Sequence, residues 1–246
     1  MLRTKFCESN EIIASQPIDE LREKLQSETG IRVVSGNEEV VRLAEIVLLG
    51  VKPTVVLPVI QENSARLSHK LVISLAAGIR LSSMEPLADA RFMRVMTNTP
   101  AAIGQAATAI AGGTRTTAND LARATEIFRA LGLVVSIEED HIDAVTALAG
   151  SGPAFVYSVI EALAEGGRKV GLPNETSLKL AAQTVLGAAQ LASESKSSPA
   201  ELRSAVVTPG GTTAAGLAAM EELHTSEGLV AAVEAATARG REMAKA

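Results

Sequence analysis

The feature that most constrains this chain of 246 residues is a change of pattern near residue 138. Before it, short apolar runs alternate with polar stretches that favour helices. From His141 onward, stretches rich in alanine and leucine follow one another without any strand pattern. The alternating part predicts a doubly wound α/β domain, and the later part predicts an all-α domain. We therefore expect two domains, residues 1–138 and 139–246.

The apolar runs of the first part define the expected strands. These are Glu11–Ser15, Ile31–Val34, Ile46–Leu49, Leu71–Leu75, Arg91–Met96, Gln105–Ile110 and Leu133–Ile137. Runs that are apolar on both faces, such as "EIVLLG", suit a parallel sheet covered by helices. The stretch "IDELREKLQSETG" predicts a helix that ends at Gly30, and "NEEVVRLAE" predicts a helix capped by Asn37.

The second part is too apolar for helices that lie alone on a surface. The stretches "PAFVYSVIEALAEGGRKVG" and "SLKLAAQTVLGAAQLASES" carry small and apolar residues on more than one side. This pattern predicts close helix packing and burial in a subunit interface.

Composition excludes several classes of partner. Aromatic residues make up 2% of the chain and the net charge is -5, which argues against nucleic acid and anionic membranes. No apolar run approaches about 20 residues, and "MLRTKFCESN" lacks the apolar core of a signal peptide. The single cysteine, Cys7, excludes a disulfide framework. We expect a cytoplasmic protein without membrane or nucleic-acid partners.

The ends of the predicted strands are the first candidate site. Ligands of open parallel sheets bind beyond the carboxyl ends of the strands, and here those ends read "ASQP", "LLGVKP", "SLAAG" and "VMTNTP". Small residues would let backbone approach a cofactor, and Lys52 would offer a cation. Ordinary strand–helix turns are the alternative interpretation of these segments.

The segment "VVTPGGTTAAGL" is the second candidate. Pro209 ends a helix, Gly210 and Gly211 expose backbone N–H groups, and Thr212 and Thr213 stand where the next helix would begin. Such a helix N-terminus suits a substrate carboxylate, with hydroxyl groups near the reacting atoms. A plain capped turn between two helices is the alternative.

Two further segments favour structural interpretations. In "AGSGPAF", Ser151 is expected to cap the next helix or to contact a ligand, and no partner base makes it a nucleophile. The acidic "EEDHID" favours a solvated first helical turn over a metal site. Since His69 and His224 lack acidic or cysteine neighbours at ligand spacing, we expect no metal.

Several segments in order resemble the pyrroline-5-carboxylate reductase family. They are "VKP", "SLAAGI", "RVMTNTPAAIGQAAT", "VTALAGSGPAFVYSVIEALAEGGRKVGLP", "AAQTVLGAAQLASES" and "VTPGGTTAAGL". The resemblance runs from about Glu11 to the C-terminus, and "GSGPAF" and "TPGGTT" are its most specific parts. It implies a Rossmann-type domain that binds NAD(P)H and a helical domain that forms dimers, which assemble further into a decamer. It also implies reduction of 1-pyrroline-5-carboxylate to L-proline.

The resemblance assigns roles to residues. The cofactor-binding positions are Asn37 near the adenosine, Gly50, Val51, Lys52 and Pro53 on one turn, and Ala76 and Ala77 beside the nicotinamide. The substrate-binding positions are Gly210, Gly211, Thr212 and Thr213. Thr213, whose hydroxyl would face the ring nitrogen, and Ser151 are the candidate catalytic residues.

The region around "IIASQP" departs from the family. Relatives carry a first strand and a Gly-rich loop ahead of it, and "MLRTKFCESN" reads as the tail of the following helix. We expect either a start codon assigned too far downstream or a truncated paralogue. The strand ends without the acidic residue that holds a 2′-hydroxyl, and Ser15 and Gln16 would tolerate a 2′-phosphate, which favours NADPH over NADH.

Two other functions remain as alternatives. One is a catalytically impaired protein that only self-associates through its helical domain. The other is a related imine reductase or β-hydroxyacid dehydrogenase, a class that places a lysine or an acid at the catalytic centre; no equivalent stands near "GSGPAF".

Overall fold

In the computed structural model, which describes residues 1–243, strands form where the apolar runs predict them. They are β1 (Ile13–Ser15), β2 (Arg32–Val34), β3 (Ile46–Leu49), β4 (Leu71–Ser74), β5 (Arg91–Met96), β6 (Ala106–Gly112) and β7 (Gly132–Ser136). The helices up to residue 151 are α1 (Asp19–Thr29), α2 (Asn37–Leu43), α3 (Pro53–Glu62), α4 (Ser64–Leu67), α5 (Leu81–Met84), α6 (Ala118–Arg129) and α7 (Ile142–Val145). The predicted α/β class is confirmed.

The strands form two sheets. β1 pairs with β2, and the other five strands follow the order β3-β4-β5-β6-β7. All pairs are parallel except β5 with β6, which are antiparallel, so the expected fully parallel sheet is wrong at this pair. Residues 97–105 connect these two strands, and a parallel crossover needs a dozen residues or more. The connection is therefore too short for a parallel return.

Helices cover both faces of the larger sheet, which explains the doubly apolar strands. Every residue of β4 is buried. Val72 belongs to the core cluster that includes Val56 and Ile60 of α3, whereas Ile73 belongs to the cluster that includes Phe128 of α6. Because successive side chains of a strand point to opposite faces, β4 is held by α3 on one side and by α6 on the other.

The helix ends near the N-terminus agree only in part with the sequence-based predictions. Helix α1 ends at Gly30, which has a φ of 70° and caps the helix as predicted. Asn37 is not the N-cap of α2, because Gly36 occupies that position and Asn37 is the first helical residue. Residues 1–11 contain two short 3-10 turns, Leu2–Thr4 and Ser9–Glu11, and not the helix tail that the sequence predicted. Segments of this length are too short to nucleate an α-helix without packing.

Gly132 begins β7 in a conformation that only glycine adopts readily. Its φ is 146°, and an added Cβ would lie 2.2 Å from the carbonyl oxygen of Ala106. The backbones of β6 and β7 therefore approach at this point because a side chain is absent.

The helical part after residue 151 has almost no buried side chains of its own. It contains α8 (Gly152–Lys169), α9 (Asn174–Glu194), α10 (Pro199–Ala205), α11 (Thr212–Glu222) and α12 (Thr225–Met243). Residues 152–234 form one compact unit, and residues 235–243 belong to the first unit with residues 1–151. Within 152–234, which the structure describes completely, only Ser177 and Ala181 are buried.

This unit exposes large apolar side chains, among them Leu163, Leu180, Leu186 and Leu191. The helical stretch Glu139–Lys169 contains an 18-residue window with a mean hydropathy of 1.3, so by length and composition alone it is long and apolar enough to cross a membrane. Exposed apolar faces of this extent mark surfaces that another protein or lipid covers. The sequence-based boundary after residue 138 stays a prediction.

The N-terminus of α6 is anchored to β5 by a buried carboxylate. Oδ2 of Asp120 accepts hydrogen bonds from the Thr117 hydroxyl at 2.7 Å, the Thr117 backbone N–H at 3.0 Å and Nε of Arg91 at 2.9 Å. Burial raises the pKa of Asp120, but these hydrogen bonds and the charge of Arg91 lower it by more. The pKa of Asp120 therefore lies below its ordinary value.

We expect Asp120→Asn to lower the free energy of unfolding at neutral pH by about 1–3 kcal/mol, because the buried donors lose a charged acceptor. A depressed folded-state pKa contributes stability above the unfolded-state pKa, about 3.9, and this contribution is lost as the pH falls through the folded-state pKa. The difference in the free energy of unfolding between Asp120→Asn and the wild type should therefore shrink below about pH 4. Urea denaturation across this range measures it, with Glu45→Gln, an exposed partner of Arg123, as control. A difference in unfolding free energy that does not change with pH would contradict the lowered pKa of Asp120.

Candidate functional site

The turn after β3 brings four predicted residues to the N-terminus of a helix. Gly50 and Val51 follow the strand, Lys52 is the N-cap of α3, and Pro53 is its first residue. The first N–H groups of a helix lack partners within the helix and carry a partial positive charge. Lys52 is exposed and adds a full charge. This turn therefore offers donors and positive charge to an anionic ligand.

Gly50 leaves open space above this turn. An added Cβ at Gly50 would meet no atom within 4 Å. Packing within the chain therefore does not require glycine at this position. Because Gly50 has no side chain, a bound molecule can approach its backbone closely. This is a property that a dinucleotide at the end of a parallel strand requires.

The turn after β4 lies beside the turn after β3. Leu49 pairs with Ser74 in the parallel register, and the backbone N–H of Leu75 donates to the carbonyl of Leu49 at 3.1 Å. Ala76 is buried and its N–H faces the Ser74 hydroxyl oxygen at 3.3 Å. The structure therefore brings the segments 50–53 and 75–77 together at one edge of the sheet.

The turn after β1 forms a separate group of predicted residues. The Ser15 hydroxyl donates to Oδ1 of Asn37 at 2.6 Å, and the N–H of Gln16 donates to the carbonyl of Val34. The amide oxygen of Asn37, the first residue of α2, therefore accepts from a side chain outside its own helix. Ser15, Gln16 and Asn37 lie together at the carboxyl ends of β1 and β2.

Sequence reasoning missed Arg22 in this group. Its Nη1 donates to the carbonyl of Gln16 at 3.1 Å, and its Nη2 lies 2.7 Å from Oδ1 of Asp19. The guanidinium, with a side chain 23% exposed, is therefore held at the end of β1. The sequence does place an arginine in the first turn of the helix after this strand. An arginine near this position accommodates a 2′-phosphate in dinucleotide-binding folds, so Arg22 could have been predicted.

Asn98 is a second residue that sequence reasoning did not single out. Its Nδ2 donates to the carbonyl of Ala149 at 3.1 Å, and its Oδ1 accepts from the N–H of Ala107 at 3.1 Å. The side chain therefore fixes the segment after β5 to β6 and to a π-helical turn, Thr146–Gly150. Turns of this kind occur often at functional sites.

Ser151 follows the π-helical turn and does not cap α8. Its backbone is helical, with φ of −83° and ψ of −23°, whereas an N-cap residue is extended. Its N–H donates to the carbonyl of Thr146 at 2.8 Å, which continues the helix. The expected capping role is therefore wrong, and contact with a ligand stays a prediction for this hydroxyl.

The loop before α11 has the geometry expected of an anion site. Gly210 has a φ of 71°, Gly211 is the extended N-cap, and α11 begins at Thr212. The N–H of Gly211 closes a turn to the carbonyl of Thr208 at 2.9 Å. Thr212 is exposed and Thr213 is half-buried. Two threonine hydroxyls and the free N–H groups of a helix start thus lie within one short segment.

Metal ligands do not cluster in the described part of the chain. No group of three or more His, Cys, Asp and Glu side chains that could hold a metal ion occurs within residues 1–243.

The acidic segment "EEDHID" is only partly solvated, because Asp143 is buried and Glu139 accepts a hydrogen bond from Arg94.

Two family models match different parts of the chain. The model described as pyrroline-5-carboxylate reductase dimerisation matches residues 139–243, and the model described as NADP oxidoreductase, coenzyme F420-dependent, matches residues 1–78. A pyrroline-5-carboxylate reductase of Synechocystis is 40% identical over all of this chain and 92% of its own length. The chain belongs to the pyrroline-5-carboxylate reductase family. A reductase of Arabidopsis thaliana is 44% identical over 88% of this chain and 79% of its own length.

Solved structures of the same family share the fold. The pyrroline-5-carboxylate reductase of Coxiella burnetii has a TM-score of 0.90 and 34% identity over 97% of this chain and 90% of its own. The pyrroline carboxylate reductase of Plasmodium falciparum, solved with NADP bound, has a TM-score of 0.89 and 29% identity over 99% and 91%. A ketol-acid reductoisomerase with a TM-score of 0.62 is 14% identical and shows likeness of fold alone. The alternative of a related reductase class is therefore less well supported.

Proposed function

We propose that the chain reduces 1-pyrroline-5-carboxylate to L-proline with NADPH, the last step of proline biosynthesis. The observation that carries the proposal is likeness over the whole chain to enzymes named for this activity. The residues present fit a dinucleotide, because the open space at Gly50 and the α3 N-terminus with Lys52 lie at the end of a parallel strand.

Reduction of a cyclic imine needs a hydride at the carbon of the C=N bond and a proton on the nitrogen. NADPH supplies the hydride when bound. A protonated imine is already electrophilic, so the protein's work is positioning and hydrogen bonding. Gly210, Gly211 and Thr212 hold the substrate carboxylate at the α11 N-terminus, where backbone N–H groups favour an anion. Thr213 holds its hydroxyl against the ring nitrogen, and Ser151 contacts the substrate.

The cofactor residues act in three groups. Gly50, Val51, Lys52 and Pro53 bind the phosphate and ribose portion, and Ala76 with Ala77 lies beside the nicotinamide. Asn37 contacts the adenosine side. Ser15 and Gln16 accept a 2′-phosphate, and the nearby guanidinium of Arg22 supplies its counter-charge by displacing Asp19. This arrangement favours NADPH, with NADH as the weaker alternative.

The activity itself is tested by incubating the purified chain with NADPH and 1-pyrroline-5-carboxylate. We expect one molecule of L-proline to form for each molecule of NADPH consumed, with NADPH followed by its absorbance. Thr213→Ala should lower kcat by a factor on the order of 100, because a donor to the reacting nitrogen is lost. Thr213→Ser keeps the hydroxyl and should recover most of the rate. An unchanged kcat in Thr213→Ala would remove this residue from the catalytic group.

Arg22→Ala should raise the KM for NADPH roughly tenfold or more and leave the KM for NADH nearly unchanged, because one charge-assisted contact to the 2′-phosphate is lost. Steady-state kinetics with both cofactors measure the effect. Lys24→Ala is the matched control, since Lys24 lies on the same helix and pairs with exposed Glu28. Equal changes for NADPH and NADH would exclude this role for Arg22.

The assembly is proposed as a cytoplasmic dimer that builds further into a decamer. Support comes from the dimerisation domain and from the exposed leucines of α8 and α9. We expect Leu186→Glu, which places a charge on such a face, to shift the mass measured by light scattering to smaller species. Lys196→Glu, on the exposed turn after α9, is the control. A mass that stays at one chain for wild type would contradict self-association.

A further inference from the structure

The carboxylate of Glu139 joins two elements that are distant from it in sequence. Its Oε1 accepts hydrogen bonds from the backbone N–H of Leu81 at 2.7 Å and from Nη1 of Arg94 at 3.0 Å. Leu81 is the first residue of α5, and Arg94 lies in the middle of β5. The side chain of Glu139 thus connects the turn Glu139–His141 with the start of a helix and with the central sheet.

Arg94 depends on this carboxylate for its neutralisation. Its side chain is 3% exposed, and the other nearby carboxylate oxygen, Oδ1 of Asp143, lies 4.0 Å from Nη2. Nε and Nη2 of Arg94 have no hydrogen-bond partner among residues 1–243. A buried guanidinium is costly without an opposite charge in contact with it. Moving the Glu139 carboxylate away from Arg94 is therefore unfavourable, because it would leave the buried guanidinium without an opposite charge in contact with it.

The same segment contacts the turn before α5 at two further points. Ala77 packs against the buried cluster that contains Met96 and Ile142. Nη1 of Arg80 lies 3.1 Å from Oδ1 of Asp140. Residues 76–81 are therefore fixed by residues 139–142, which lie about 60 positions later in the chain.

We propose that Glu139, held by Arg94, is a positioning residue that fixes the turn 76–81 and thereby the place of the nicotinamide ring. The inference rests on the proposed function, which places Ala76 and Ala77 beside that ring. The turn follows the carboxyl end of β4, where ligands of such sheets bind. Without the Glu139 acceptor, the first N–H of α5 loses its partner, and the turn loses its hydrogen-bonded connection to Arg94 of the sheet.

The test compares two ligands of the wild type and of Glu139→Ala by calorimetry: NADPH, and adenosine 2′,5′-bisphosphate, which lacks the nicotinamide. We expect the affinity for NADPH to fall about tenfold, corresponding to one charge-assisted hydrogen bond, and the affinity for the bisphosphate to stay unchanged. Glu139→Gln keeps an acceptor oxygen and should recover part of the affinity. Equal losses for both ligands, or no loss for NADPH, would overturn the proposal.

A second variant covers the case in which an unpaired Arg94 prevents folding. Arg94→Met with Glu139→Leu removes both buried charges and fills their volume, a replacement that proteins often tolerate. This double variant also lacks the acceptor for Leu81, so we expect the same selective loss of NADPH affinity. NADPH affinity equal to wild type in the folded double variant would overturn the positioning role.

Two controls separate this proposal from the proposed function. Glu45→Ala removes an exposed glutamate paired with Arg123 and should bind both ligands as the wild type does. A wild type that binds NADPH but does not reduce 1-pyrroline-5-carboxylate would overturn the proposed function alone. The comparison of NADPH with adenosine 2′,5′-bisphosphate would still decide the role of Glu139.

Discussion

The parallel pairing of β3 with β4 is the constraint on which the candidate cofactor site depends. Leu49 stands opposite Ser74, so both strands end at the same level and their turns meet at one edge of the sheet. Each face of β4 packs into its own core, Val72 with residues of α3 and Ile73 with Phe128 of α6, and a shift by one position would exchange these partners. The helix start at Pro53 and the turn at Ala76 are close for that reason alone.

The two compact units differ in how they obtain stability. The first has large apolar side chains at zero exposure, such as Phe92, Leu71 and Met84. The second unit buries only Ser177 and Ala181 within residues 152–234 and leaves its leucines at the surface. Burial of apolar area contributes about 25 cal/mol per Å², so a surface that covers the exposed leucines would add to the stability of these helices. This dependence suits a segment that belongs to a dimerisation domain.

The sequence predicted the elements better than their connections and side-chain contacts. Short apolar runs located all seven strands of residues 1–243, because strands in a covered sheet bury their side chains. The antiparallel direction of β6 was missed, since it follows from the length of a loop and not from the strand itself. Arg22 and Glu139 were missed because their partners, a carbonyl of Gln16 and the N–H of Leu81, become neighbours only in the folded chain. Charged residues in such positions look like solvated surface in a linear sequence.

The last helix has a consequence for how the chain folds during synthesis. The first unit also includes residues 235–243, and Gly240 lies against Asp143, where an added Cβ would be 3.6 Å from that residue's Cβ. The segment that holds Arg94 and the turn before α5 is therefore covered by residues that are synthesised after the helices of residues 152–234. The first unit, although most of it precedes the helical unit in the sequence, cannot reach its final packing until residues 152–234 have been synthesised. Its folding is tied to the helical unit in time, because the helices of residues 152–234 emerge before the residues that complete it.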